Sequence, residues 1–212
     1  MLDYRGPVTK RALYSRDEIL DATVLAAHER GHAATVADVT RSLGAPSGSI
    51  YHRFPSRNSL FASAWVRCVR EFHATLPIVF EIEDPVEAIV ATGLLVPRFC
   101  RERPAEARML TLYRYANLMA DPPPDLLPEL EGLNDPVKRH IAGLAERRYG
   151  RTTPRGLEII ALACRDTPYG MVRGLIGGRI PEWIDEPIAA AGRAIALLAD
   201  TPGESRDGGA PS

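Results

Sequence analysis

No apolar run in this 212-residue chain approaches the ~20 residues needed to cross a bilayer. The first residues, MLDYRGPVTKRALYS, carry no hydrophobic signal region either, so a cytoplasmic protein is expected. Cysteine is scarce and scattered: Cys68, Cys100 and Cys164 are odd in number and form no Cys-x-x-Cys. That argues against both a disulfide framework and a zinc site and predicts buried thiols. The five histidines (His28, His32, His52, His73 and His140) show no ligand spacing with carboxylates or cysteines. No Ser/His/Asp arrangement or phosphate loop occurs, so no catalytic residue, metal or cofactor is expected. Sustained alternation of β-branched residues is missing, which argues against a sheet. There is no internal repeat. Lysine is almost absent as well, since Lys10 and Lys138 are the only two among 26 basic residues. We read that bias as genome composition, not chemistry.

What is present is ordinary globular material, 45% hydrophobic and 25% charged, enough for a real core. The formal net charge of −1 hides an asymmetry. Residues 1–76 hold 10 Lys/Arg against 7 Asp/Glu and four of the five histidines, whereas residues 77–212 hold 16 against 20. A basic first third joined to an acidic remainder suggests that only the first third meets a polyanion.

Helix punctuation runs almost throughout. Ser15-Arg16-Asp17-Glu18 reads as a capping box, followed by an apolar face of Ile19, Leu20, Thr23, Ala26 and Ala27 up to Gly31. Thr35 caps a short second helix, Val36 to Leu43, ended by Gly44. A third starts at Pro46-Ser47 and is expected to reach Phe54. A fourth, longer helix starts at Pro55-Ser56 and is expected to stop at Pro77. It carries two apolar stripes, Leu60/Ala64/Cys68/Phe72/Leu76 and Phe61/Trp65/Val69, so it should contact two sets of partners. Asp84-Pro85, Pro104, Asp135-Pro136, Thr153-Pro154 and Glu186-Pro187 read as further helix starts. Asp121 to Pro124 reads as a turn, Leu126 to Leu133 as a short helix, and Pro97 as a kink or break. Asp200 to Ser212 is polar and Gly/Pro-rich, a disordered tail by composition.

Two short helices separated by Gly44-Ala45-Pro46, after a longer first helix, form a helix-turn-helix pattern. Such a unit lays its second short helix in the DNA major groove. Small Ser47, Gly48 and Ser49 would permit close approach, and their amides at a helix start suit a phosphate. Tyr51, His52, Arg53 and Arg57 are donors able to reach phosphate oxygens. Arg41 on the second helix is either a phosphate contact or a solvated charge. Arg5, Lys10 and Arg11 form either a basic arm or a disordered tail.

The stretch ILDATVLAAHERGHAATVADVTRSLGAPSGSIYHRFPSRNSLF, Ile19 to Phe61, resembles the DNA-binding domain of TetR-type transcriptional regulators. The resemblance rests on Glu-x-Gly ending helix one, Thr35 starting helix two and Leu43-Gly44 at the turn. Ser47-Gly48-Ser49-Ile50-Tyr51 and Phe54-Pro55-Ser56-Arg57 with Leu60 complete it. It implies that Thr35 caps helix two and touches a phosphate, and that Ser47, Gly48 and Ser49 face base edges or nearby backbone. It also implies a phosphate contact for Tyr51, with His52 facing the groove. Arg57 stands where the family usually has a phosphate-binding lysine. Ala27, Thr40 and Arg53 depart from the family's common bulky aromatic, alanine and aromatic; Arg53 would add backbone binding.

The resemblance further implies an all-α protein. A flexible arm (1–14) precedes the helix-turn-helix domain (15–61), and a linking long helix leads into a helical bundle (62–199) and the tail (200–212). That bundle would hold a small-molecule effector and make a homodimer through the last two long helices. Gly170, Gly174, Gly177 and Gly178, then Ala189, Ala190, Ala194 and Leu198, fit close helix approach. Phe72, His73, Phe99, Tyr113 and Tyr169 are the expected effector-pocket residues, chosen from aromatic side chains that serve cores as well as pockets. The functional reading is an operator-binding regulator, a repressor by family habit. An all-helical enzyme and a non-DNA-binding adaptor are the competing classes.

Overall fold

In the computed structural model, residues 14–44 and 46–200 are described. Arg5, Lys10, Arg11, Ala45 and the tail beyond Asp200 lie outside them. The described residues form twelve α-helices with short 3₁₀ turns and no strand. In order these are α1 (Arg16–Arg30), α2 (Val36–Leu43), α3 (Ser47–Tyr51), α4 (Arg57–His73), α5 (Pro85–Glu102) and α6 (Pro104–Leu110). There follow α7 (Tyr115–Ala120), α8 (Leu127–Leu130), α9 (Asp135–Tyr149), α10 (Pro154–Ala161), α11 (Thr167–Val172) and α12 (Asp185–Ala196).

These helices divide into two compact units. The first comprises the described residues up to Phe72 together with Cys100–Leu133 and Ile176–Gly178. The second comprises His73–Phe99, Asn134–Leu175 and the chain from Arg179.

In the first unit, the Ser15 hydroxyl accepts from Glu18 N–H at 3.1 Å and the Glu18 carboxylate accepts from Ser15 N–H at 2.6 Å, which starts α1. These hydrogen bonds, the backbone one foremost, lower the Glu18 pKa. Gly31 ends α1 at φ 57°, a left-handed conformation that favours glycine. The core joins Ile19 and Leu20 of α1 to Ile50 and Phe54 around α3, Leu60 and Phe61 of α4, and Met109, Leu126 and Leu130. Ala27 is fully buried against this set, so the small residue there is packed. Both stripes of α4 enter the same core, with Leu60, Ala64 and Cys68 beside Phe61, Trp65 and Val69. Trp65 Nε1–H donates to Leu110 O at 3.3 Å, and the Ser59 hydroxyl donates to the Asp125 carboxylate. The sequence leaves α7 unmarked, and α4 ends at His73, short of Pro77, because Pro77 belongs to a separate 3₁₀ turn, Leu76–Glu81.

In the second unit, Asp84 Oδ1 accepts from the amides of Val86 and Glu87 at 2.8 and 2.9 Å and so starts α5. Pro97 sits inside α5, which continues through it. Thr153 caps α10 by accepting from Gly156 N–H at 3.0 Å, and its hydroxyl donates to Asp200 at 2.7 Å. From α10 the chain passes through a π-helical stretch, Leu162–Asp166, directly into α11. Of the glycines expected on this helix, Gly170 lies in α11, while Gly174 follows its end. Ile89, Leu144, Ile160 and Ala196 make the core, and Arg193 clamps Glu87 with contacts of 2.7 to 3.1 Å. All three cysteines are buried and unpaired with one another. Among the described residues, no helix is long and apolar enough to cross a membrane.

Candidate nucleic-acid interface

The helix-turn-helix is built by α2, α3 and the glycine between them. Gly44 closes α2 in the left-handed region at φ 64°, and its N–H returns to the carbonyls of Arg41 and Thr40. At the other end of α2, Thr35 and Asp38 form a capping box. Thr35 N–H and its hydroxyl donate to Asp38 Oδ2 at 2.9 and 2.6 Å, and Asp38 N–H donates to Thr35 Oγ1 at 3.2 Å. The Thr35 hydroxyl first, then its backbone N–H, holds the Asp38 carboxyl down at about 2, with Arg41 and Arg30 adding to the effect. Both guanidinium groups donate to Asp38 Oδ1, at 2.9 Å from Arg41 and 3.0 Å from Arg30. Asp38 therefore fixes the start of α2 and tethers Arg41. Sequence reading passed over it, although Thr-x-x-Asp carries the same reciprocal logic as Ser-x-x-Glu.

Downstream of Gly44, one short segment presents small and donor-rich side chains to solvent. Ser47, Gly48, Tyr51 and His52 are exposed, and Ser49 and Arg53 are half-buried. Ile50 and Phe54 alternate with them and point into the core. Helix α3 ends at Tyr51, earlier than Phe54, and the residues after it continue as a turn. The Ser49 hydroxyl is used locally, donating to Pro46 O at 2.5 Å. The side chains of Tyr51, His52 and Arg53 make no hydrogen bond or ion pair among the described residues. Large polar side chains held in the open by a buried Ile50/Phe54 anchor are available to an outside partner.

Gly48 adds an independent sign. It is helical, without a positive φ, and a Cβ built there meets nothing within 4 Å. Neither backbone conformation nor packing within the described residues calls for glycine, which weakens a helix by ~0.5–1 kcal/mol relative to alanine. The space it leaves lies outside the protein.

Arg57 is placed differently from an outward-reaching cation. Its Nε and Nη2 donate to Ala34 O at 3.0 and 2.7 Å, and Nη2 also donates to His32 O at 3.0 Å. Its guanidinium lies 4.5 Å from the centre of the Phe61 ring. It thus ties the start of α4 to the segment that leads into Thr35. Tyr113 lies nearby: burial raises its phenol pKa, and the Arg57 cation opposes that rise. Arg16 caps the other aromatic anchor, 4.6 Å over the Phe54 ring.

Of the expected effector residues, Phe72 and Tyr113 belong to the first unit and His73, Phe99 and Tyr169 to the second. Phe99 is buried, and Tyr169 is exposed. His73 is the member of this set that lines a cavity in the second unit, together with Arg139 and His140, which sequence reading did not single out. Their signal was only a basic run, Lys138-Arg139-His140, inside α9. Among the described residues, no group of three His, Cys, Asp or Glu side chains is arranged to hold a metal ion.

Fold and exposed segment together define an all-α helix-turn-helix protein. Residues 19–64 match the family model of bacterial regulatory proteins of the tetR family. On that match residues 19–64 carry the N-terminal domain of the tetR family of bacterial regulatory proteins. No curated protein matches it. Solved structures share its fold over most of its length. A transcriptional regulator from Rhodococcus sp. Rha1 is similar at 24% identity and a TM-score of 0.63, over 86% of this chain and 94% of that one. The TetR family transcriptional regulator PfmR from Thermus thermophilus is similar at 20% identity and a TM-score of 0.63, over 89% of this chain and 99% of that one.

Proposed function

We propose that this regulator is a repressor that holds operator DNA as a homodimer and leaves it when a small-molecule effector binds. The observation that carries the DNA-binding part is the exposed Ser47–His52 segment with the vacant space beside Gly48. In this reading Ser47, Gly48, Ser49 and His52 face base edges, while Thr35, Tyr51 and Arg53 contact phosphates. Arg41, tethered to the buried Asp38 yet 72% exposed itself, adds charge at the rim. Arg57 positions the segment before α2. Residues 15–61 act as the DNA-binding domain, and the site of action is the cytoplasm. We assign no catalytic role to any residue.

Homodimerisation is supported by the second unit. Leu162, Tyr169, Met171 and Leu175 are exposed around α11, and Leu197 and Leu198 are 59% and 50% exposed just after α12. Large apolar side chains left open in this number mark an interaction surface. A second copy would set two α3 helices against half-sites ~34–36 Å apart, or a multiple of that. The effector would shift the population toward a dimer with mismatched spacing. The test is selection of duplexes from a random pool by the full chain, followed by a metabolite screen for release. A near-palindromic consensus and a releasing metabolite are expected. Recovery of no consensus would refute the reading.

A further inference from the structure

The second unit contains a cavity of about 240 Å³ whose walls divide by chemistry. Leu76, Pro77, Phe80 and Pro136 make an apolar lining, and His73, Arg139 and His140 supply every ionisable group on it. No carboxylate lines it. Its size is below the ~300–1,000 Å³ of pockets for drug-sized ligands, so it suits a smaller molecule.

The polar groups are poised for an acceptor. Arg139 is exposed and pairs with nothing among the described residues. His140 is only 3% exposed; its Nε2 lies 3.0 Å from Thr92 Oγ1, and its Nδ1 is buried with no hydrogen-bond partner. A buried polar atom without a partner is costly. Burial holds the ring's pKa down at about 4, so the unliganded imidazole is neutral. The Thr92 hydroxyl can donate either to Ala88 O, 2.8 Å away, or to Nε2. When it donates to Nε2, the ring proton sits on Nδ1 and becomes a donor. The Phe80 ring stands edge-on to His140 at a centroid separation of 4.6 Å and is 43% exposed, a free apolar face beside the donors.

We propose that this cavity is the effector site, and that it takes a small monocarboxylic acid with an aromatic or branched apolar body. The carboxylate is held by Arg139 and the His140 ring, the body by Phe80, Leu76 and the two prolines. The effector role rests on the regulator reading above; the binding chemistry does not. His73, the last residue of α4, is the third ionisable side chain of the lining.

The experiment titrates the full chain, without DNA, with benzoate, benzamide, benzamidine and acetate by calorimetry. Benzoate is expected to bind at least tenfold more tightly than its neutral and cationic isosteres and than acetate. Arg139→Gln should remove that preference for benzoate over benzamide, whereas exposed Phe80→Ala should weaken both alike. Absence of binding by all four probes, equal affinity for benzoate and benzamide, or an Arg139→Gln protein that keeps the preference would overturn the proposal. A separate anisotropy assay with the selected operator isolates the regulatory half. Benzoate that binds without releasing operator overturns the effector role. Probe binding by a protein indifferent to DNA sinks the regulator reading and leaves the site standing.

Discussion

Replacing Gly48 by alanine separates a protein's own stability from its fit to DNA. The added Cβ meets nothing within 4 Å and the residue has no positive φ, so the folded chain accommodates it. Alanine in a helix is favoured over glycine by ~0.5–1 kcal/mol. For a chain of about 200 residues that raises Tm by about 1–4 °C. At the DNA surface the same methyl enters a close-packed contact, where one extra methylene costs ~1–3 kcal/mol. Operator affinity should therefore fall about tenfold or more. No phosphate contact is lost, so the salt dependence of binding should keep its slope. Thermal unfolding and fluorescence anisotropy at two salt concentrations read both effects. A Gly48→Ala protein that is stabilised yet binds operator at full strength would refute the claim that Gly48 serves an external partner. A destabilised one would show that a contact inside the protein had set the glycine.

Arg57→Gln should lower stability by ~1–3 kcal/mol in urea unfolding, through loss of its bonds to Ala34 and His32 carbonyls. It should weaken DNA binding with an unchanged salt slope; a slope reduced by ~1 per protomer would instead make it a direct phosphate contact. His140 is neutral in the fold and its pKa of about 4 lies below the usual ~6.5, so the unfolded chain binds the extra proton between those values. Its contribution to stability is complete above pH ~6.5 and is lost as pH falls toward 4. Roughly 2 kcal/mol should vanish between pH 6.5 and 5, and His140→Leu should flatten that slope. Asp38, held at about 2, loses its share only at lower pH, below the ordinary carboxylate range. Burial pushes the Cys68 and Cys164 thiols up to about 12 and Cys100 to about 11. A thiol reagent at pH 8 should leave the native chain untouched and label three cysteines after unfolding.

Legibility followed locality. Ser15-x-x-Glu18, Thr35, Gly44, Asp84-Pro85 and Thr153-Pro154 act within one helical turn, and each starts or stops a helix where the sequence places it. Pro97 does not break α5, which runs on through it from Pro85 to Glu102. The π-helical stretch at Leu162–Asp166 leaves no mark in residue spacing, since its widened turn is a matter of packing. Around the candidate interface, the exposed Ser47–His52 run was visible, but the use of Arg57 was not. Three carbonyl contacts and a ring 4.5 Å away come from residues 4 to 25 positions distant. The cavity's Arg139 and His140 were hidden for the same reason, because Thr92 and Phe80 reach them from other segments.

Regulation by this protein depends on the Ser47–His52 surface gripping duplex DNA. Its most direct measurement is the affinity of the full chain for the selected operator and for a scrambled duplex across a salt series. A large preference for the operator is expected, with log affinity falling linearly as log salt rises. Equal, weak binding to both duplexes at every salt concentration would contradict it.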